Sequence, residues 1–77
     1  MGWKQTLIRA KIVKAIIRVQ RGNLDIEQFI QDAYGMWMIG LNEGLFKDDK
    51  DFERLLIEHN FPKDRMEQIS EALFYGD

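Results

Sequence analysis

Seventy-seven residues, 45% hydrophobic and 12% aromatic, suffice for one domain with one core and are too apolar for a disordered chain. The absence of cysteine excludes disulfides, thiolate metal sites and a cysteine nucleophile. The formal charge of −2 hides a split. Up to Gly22 there are six bases and no acid, whereas from Asn23 onward thirteen acids face five bases, a net +6 followed by −8.

A first helix is predicted over Trp3 to Gln20. Ile8, Ile12, Ala15, Ile16 and Val19 recur at steps of three and four, which places them on one helical face. Lys4, Lys11, Lys14, Arg18 and Arg21 fall on another face, with Arg9 outlying, and Ala10, Val13 and Ile17 form a second apolar strip. Arg21-Gly22-Asn23 ends the helix, because Gly22 or Asn23 tolerates the left-handed conformation of a C-terminal cap.

The second helix starts at Asp25, a capping residue, with Gln28 at the third helical position of a capping box and Leu24 stapling onto Phe29. Its stripe is Ile26, Phe29, Ile30, Ala33 and Trp37. Beyond Ala33 the residues are apolar nearly all round (Met36, Trp37, Met38, Ile39, Leu41), the pattern of a helix buried on most sides. Gly35 and Gly40 each cost about 1 kcal/mol relative to Ala in a helix interior. Such a cost is expected either to let a neighbouring helix approach closely or to mark a kink, and Gly44 is the natural stop.

Lys47 to Lys50 reads as a charged connector whose Asp48 or Asp49 caps a third helix, Asp51 to Glu58, with core residues Phe52, Leu55 and Leu56. Asn60-Phe61-Pro62 is the next turn, since Asn accepts the left-handed cap and Pro disfavours helical geometry before it. A fourth helix runs from about Asp64 to Phe74, capped by Asp64 and Glu67 and striped by Met66, Ile69 and Leu73. The fold expected is all-α. It is a compact four-helix bundle with short connections, in which two longer antiparallel helices are crossed by a C-terminal helical hairpin, and residues 1–77 form a single domain.

Few residues suggest chemistry. His59 is the only histidine and lies at the apolar edge of the third helix, with no second His and no Cys for a metal and no Ser near it in sequence as a nucleophile. Asp48, Asp49, Asp51 and Glu53 lack the spacing and the central glycine of a calcium loop, and capping explains them more simply. Gly35, Gly40 and Gly44 have the wrong spacing for a phosphate loop. The sequence therefore indicates no enzyme, no catalytic residue, no cofactor, no metal and no small-molecule substrate.

Binding signals are better. The stripe Lys4, Lys11, Lys14, Arg18 and Arg21 suits an acidic protein partner, nucleic-acid phosphates or an anionic membrane surface, and as a bland alternative it is a solvated face that neutralises the acidic remainder. Trp3, Phe74 and Tyr75 lie where a small core does not cover them, and exposed aromatics of this kind are favoured in interfaces. A protein partner takes precedence over nucleic acid. The acidic helices repel a duplex, the pI of about 5.3 is low for such a binder, and the fourth helix offers only Arg65, with Lys63 just ahead of it, as a donor toward bases. The longest charge-free stretch, Ala33 to Asn42, falls far short of the roughly 20 apolar residues of a membrane span. Lys11 and Lys14 interrupt any secretory signal, which makes the cytoplasm the expected location. The expectation is a small non-enzymatic protein–protein interaction module, a regulator or adaptor that binds an acidic protein or a second copy of itself. The alternatives are a nucleic-acid binder using the basic first helix and a peripheral membrane protein.

Overall fold

The computed structural model describes residues 2–75, and within them the chain is helical, without strands. The elements are α1 (Trp3–Gln20), α2 (Ile26–Asn42), α3 (Asp49–Glu58), a 3-10 turn (Lys63–Arg65) and α4 (Met66–Tyr75). The four-helix bundle expected from the hydrophobic spacing is present.

Three helices stop in the same way. After α1, α2 and α3 a residue enters the left-handed region: Gly22 (φ 78°), Gly44 (φ 78°) and Asn60 (φ 63°). The following N–H then donates back to a carbonyl of the last turn, Asn23 to Arg18 (2.8 Å), Leu45 to Gly40 (2.8 Å) and Phe61 to Leu56 (3.0 Å). The left-handed residue's own N–H closes a second bond, to Val19, Leu41 and Ile57 respectively. These are Schellman caps, which supply partners for carbonyls that the helix end leaves open. Of Gly22 and Asn23, the glycine takes the strained position, because it carries no Cβ to clash there.

The helix starts depart from expectation in three places. Asp25 caps α2 by accepting from the Glu27 N–H, but Gln28 reaches forward to Asp32 (3.1 Å) and does not complete a capping box. The start of α3 lies two residues earlier than expected. Asp48 accepts from the Asp51 N–H (3.1 Å) while the Asp51 carboxylate accepts from the Lys47 N–H (2.8 Å), so two otherwise open donors are satisfied reciprocally. Asp64 does not cap α4; it lies inside the 3-10 turn that follows Pro62, whose fixed φ starts that turn.

α2 is flanked by α1 on one side and α4 on the other, and α3 packs on α4. Gln5 at the start of α1 donates to the Glu43 carbonyl at the end of α2 (2.8 Å), as an antiparallel pair requires. Gln20 at the far end of α1 donates to the carbonyls of His59 and Asn60, tying α3 to α1. Arg65 meets Glu27 at 2.6 Å, fixing the start of α4 beside the start of α2. The order around the bundle is thus α1, α2, α4, α3, with α1 and α4 on opposite corners.

Inside sit Ile12 and Ile16 of α1, Phe29 and Ala33 of α2, Phe52, Leu55 and Leu56 of α3, and Ile69 and Leu73 of α4. Phe46 and Phe61 join them from the connectors. Phe61 packs on Phe29 with ring centroids 5.2 Å apart, and Phe46 meets Phe52 edge-on at 5.4 Å. Each such ring contributes about 1.5–3 kcal/mol by leaving water. No polar or charged residue is buried among the described residues, so the core needs no internal hydrogen-bond partners.

Gly40 is where the backbone of α2 must stay bare. A Cβ built there lies 2.3 Å from two atoms of the Phe46 ring, whereas one at Gly35 meets nothing within 4 Å. The close neighbour anticipated for these glycines is therefore a ring from the following loop, and only one of the two glycines needs it.

Candidate functional site

At about 100° per residue, Lys4, Lys11, Lys14, Arg18 and Arg21 lie within an arc of about 100° on α1, opposite the core residues Ile12 and Ile16. All five are exposed. Among the described residues none of them joins an ion pair; the one cation of α1 that does is the outlying Arg9, at 3.9 Å from Glu58. Arg18 makes only a long contact to the Asn23 carbonyl at 3.5 Å. The stripe thus does not neutralise acids of its own bundle by direct pairing.

Apolar side chains share this face. Trp3 is 70% exposed and Leu7, one turn later, 46% exposed. Of the second apolar strip, Val13 packs against the core, while Ala10 and Ile17 remain exposed. Beside the stripe a groove of about 190 Å³ opens between α1 and α2, lined by Ile8, Lys11, Ile12, Met36 and Ile39. Ile39 is 53% exposed, which corrects the expectation that the second half of α2 is buried on most sides: Met36, Trp37, Met38 and Leu41 are only half-buried. The physical reason is the order around the bundle, in which α2 has neighbours on two sides and leaves an apolar edge open next to α1.

The three aromatics predicted for binding are exposed but not gathered. Trp3 stands at the start of α1, whereas Phe74 (80% exposed) and Tyr75 (75%) end α4 and pack edge-to-face on each other at 4.8 Å. Glu67, Glu71 and Phe74, at i, i+4 and i+7, line one exposed face of α4. That face joins acid to aromatic, as α1 joins base to aliphatic. Trp37, by contrast, is structural: its indole N–H donates to the Asp48 carbonyl at 3.2 Å.

The titratable groups with displaced pKa values have structural explanations. The Lys47 N–H and, behind it, the Arg54 guanidinium hold the Asp51 carboxyl below its ordinary 3.8. The hydrogen bond from Arg65 to Glu27 raises the guanidinium above its already high value. Arg65 also donates to Gln68, so this side chain is engaged within the bundle and not poised toward a duplex. His59 forms the C-cap of α3. Asp48 and Asp51 are occupied in capping, and among the described residues no three His, Asp or Glu side chains converge on a metal position. A second depression of about 270 Å³ is lined by Arg9, Asp51, Arg54 and Glu58, whose charges face one another: Arg54 meets Asp51 at 3.0 Å and Arg9 meets Glu58.

The groove itself escaped sequence reasoning. Ile8 and Ile12 read as core, and Ile12 is buried with Ile8 packed against it, but Ile39 also read as buried and is 53% exposed, so the α1/α2 edge stays open beside them. No helix among the described residues is long and apolar enough to cross a membrane. Comparison with protein-family models, with curated proteins and with solved structures finds no match to this chain.

Proposed function

We propose that this chain is a small cytoplasmic, non-enzymatic protein–protein interaction module, a regulator or adaptor, whose binding surface is the outward face of α1 with the adjoining α1/α2 groove. One observation carries the reading. Five exposed cations without ion-pair partners among the described residues share a face with exposed apolar side chains and stand beside an apolar groove that Lys11 lines. A face that served only solubility has no need of Trp3, Leu7 and Ile39 among its charges, since exposed apolar patches rimmed by polar residues mark interaction sites. The charges select an acidic partner and speed encounter, and the apolar groove supplies the lasting contact.

The test is affinity capture from cells of the source organism with the wild-type chain beside a Lys11→Glu/Lys14→Glu/Arg18→Glu chain. A partner retained by the first and lost by the second is expected. Recovery of the same proteins by both shows the stripe to be solvated surface. Gel shifts at low salt and cosedimentation with anionic vesicles examine the two rival uses of the same cations, nucleic acid and membrane.

A further inference from the structure

We infer that the occupant of the α1/α2 groove is α4 of a second copy of this chain, seated head to tail; this rests on the interaction-module reading above and names its partner. The two surfaces complement each other in charge and in shape. The receiving face carries Lys4, Lys11, Lys14 and Arg18 beside an apolar groove. The presented face carries Glu67 and Glu71, exposed and outside every ion pair among the described residues, followed by the exposed ring of Phe74. The spacing i, i+4, i+7 is that of a helix laid into a groove with its anchors on one side. A cavity of about 150 Å³ accommodates benzene, so the groove of about 190 Å³ admits a phenyl ring. Phe74 is the anchor, with Glu67 and Glu71 reaching the lysines around the rim.

The geometry also determines the kind of assembly. α1 and α4 occupy opposite corners of the bundle, since both flank α2 and α3 packs on α4. A copy that receives a neighbour on α1 therefore still presents its own α4. Different patches meeting in this way make a heterologous contact, which builds rings or open chains and not a single isologous dimer. The contact weakens as salt rises, because its charges lie at the surface, where screening acts within about 10 Å.

The experiment uses the full chain and two variants, one reversed on the basic face (Lys11→Glu/Lys14→Glu/Arg18→Glu) and one on the acidic face (Glu67→Lys/Glu71→Lys). All five positions are exposed, and circular dichroism confirms that each variant is helical before use. Sedimentation velocity at low salt, from micromolar to millimolar protein, is expected to show the wild type growing beyond its 9.1 kDa mass. Each variant alone associates at least ~100-fold more weakly, because like charges now meet. Mixed in equal amounts, the variants are expected to regain the growth of the wild type, since the native α4 of one meets the native groove of the other and the two reversed faces again carry opposite charges. A wild type that stays monomeric to millimolar concentration overturns the inference, as does a wild type that remains monomeric while cosedimenting with anionic vesicles. Variants that associate as the wild type does, or a mixture that stays monomeric, overturn it as well. A monomeric wild type whose cellular partner is still lost on reversing the basic face sinks only self-docking. A monomeric wild type with unchanged capture sinks the interaction-module reading too.

Discussion

Alanine substitution at Gly35 and at Gly40 separates what helix propensity demands from what packing permits. Both glycines lie within α2, and replacing either by Ala gains about 1 kcal/mol of intrinsic helix stability. At Gly35 nothing opposes that gain, because the new Cβ meets no atom within 4 Å. At Gly40 the Cβ lies 2.3 Å from the Cδ2 and Cε2 atoms of Phe46, whereas carbon atoms rest about 3.5–4.0 Å apart. The ring must retreat by more than about 1 Å and give up part of its present packing. Phe46 is 5% exposed, it abuts the wholly buried Phe52, and the N–H groups of Leu45 and Phe46 both donate to the Gly40 carbonyl. Overpacking of this kind costs about 1–3 kcal/mol, and expulsion of the ring costs as much again in lost burial. The balance at Gly40→Ala runs from near zero to a loss of about 2 kcal/mol after the propensity gain, or up to about 16 °C in melting temperature for a domain this small. Gly35→Ala is expected to melt about 4–8 °C higher than the wild type. Urea and thermal unfolding followed by far-ultraviolet circular dichroism measure both. A Phe46→Leu background should reduce the penalty of Gly40→Ala, which a double-mutant cycle reads directly. Equal stabilisation by the two alanines would refute the packing argument.

Three further outcomes follow from the same structure. Phe61→Ala removes a buried ring from the Phe29 contact at a cost of about 3–5 kcal/mol, comparable to the roughly 3–5 kcal/mol such a core nets. Loss of near-ultraviolet dichroism and of a cooperative melt is expected, and a sharp wild-type-like transition would contradict the assigned core. Asn60→Val places a β-branched residue at φ 63° and should cost about 1–2 kcal/mol in urea unfolding, whereas Asn60→Gly keeps the cap; indistinguishable midpoints for Val and Gly would deny the Schellman geometry there. Asp51 bears on acid stability, with the sign set by its lowered pKa. Its contribution is present in full above its unfolded pKa near 4 and is lost as pH falls through the lower folded value. The melting temperature of Asp51→Asn should therefore fall less than that of the wild type as the pH is taken from neutrality into the acid range. An identical pH dependence would show that the bond to the Lys47 N–H adds nothing.

Much of this molecule is legible in its residues because helix formation and termination are local. The three- and four-residue recurrence of Ile12, Ile16 and Val19 places α1 at Trp3–Gln20, and Gly22, Gly44 and Asn60 stop their helices through conformations that depend on one residue's sterics. The basic stripe is legible for the same reason, since a face of a helix follows from spacing alone. Caps are less legible. Gln28 and Asp64 have the right type and offset, yet the side chain of Gln28 bonds Asp32 and the chain around Asp64 winds into a 3-10 turn after Pro62. The connectors hid two core residues, because Phe46 and Phe61 carry no periodicity and are buried only by what folds over them.

Tertiary structure alone decided the rest. It distinguished Gly40 from Gly35, showed which cations of α1 find acids and which do not, and opened the groove between Ile8, Ile12, Met36 and Ile39. Each of these depends on distances between segments far apart in the chain, which hydrophobic periodicity does not encode. Spacing says which side of a helix is apolar; only the packing of its neighbours says how much of that side they cover.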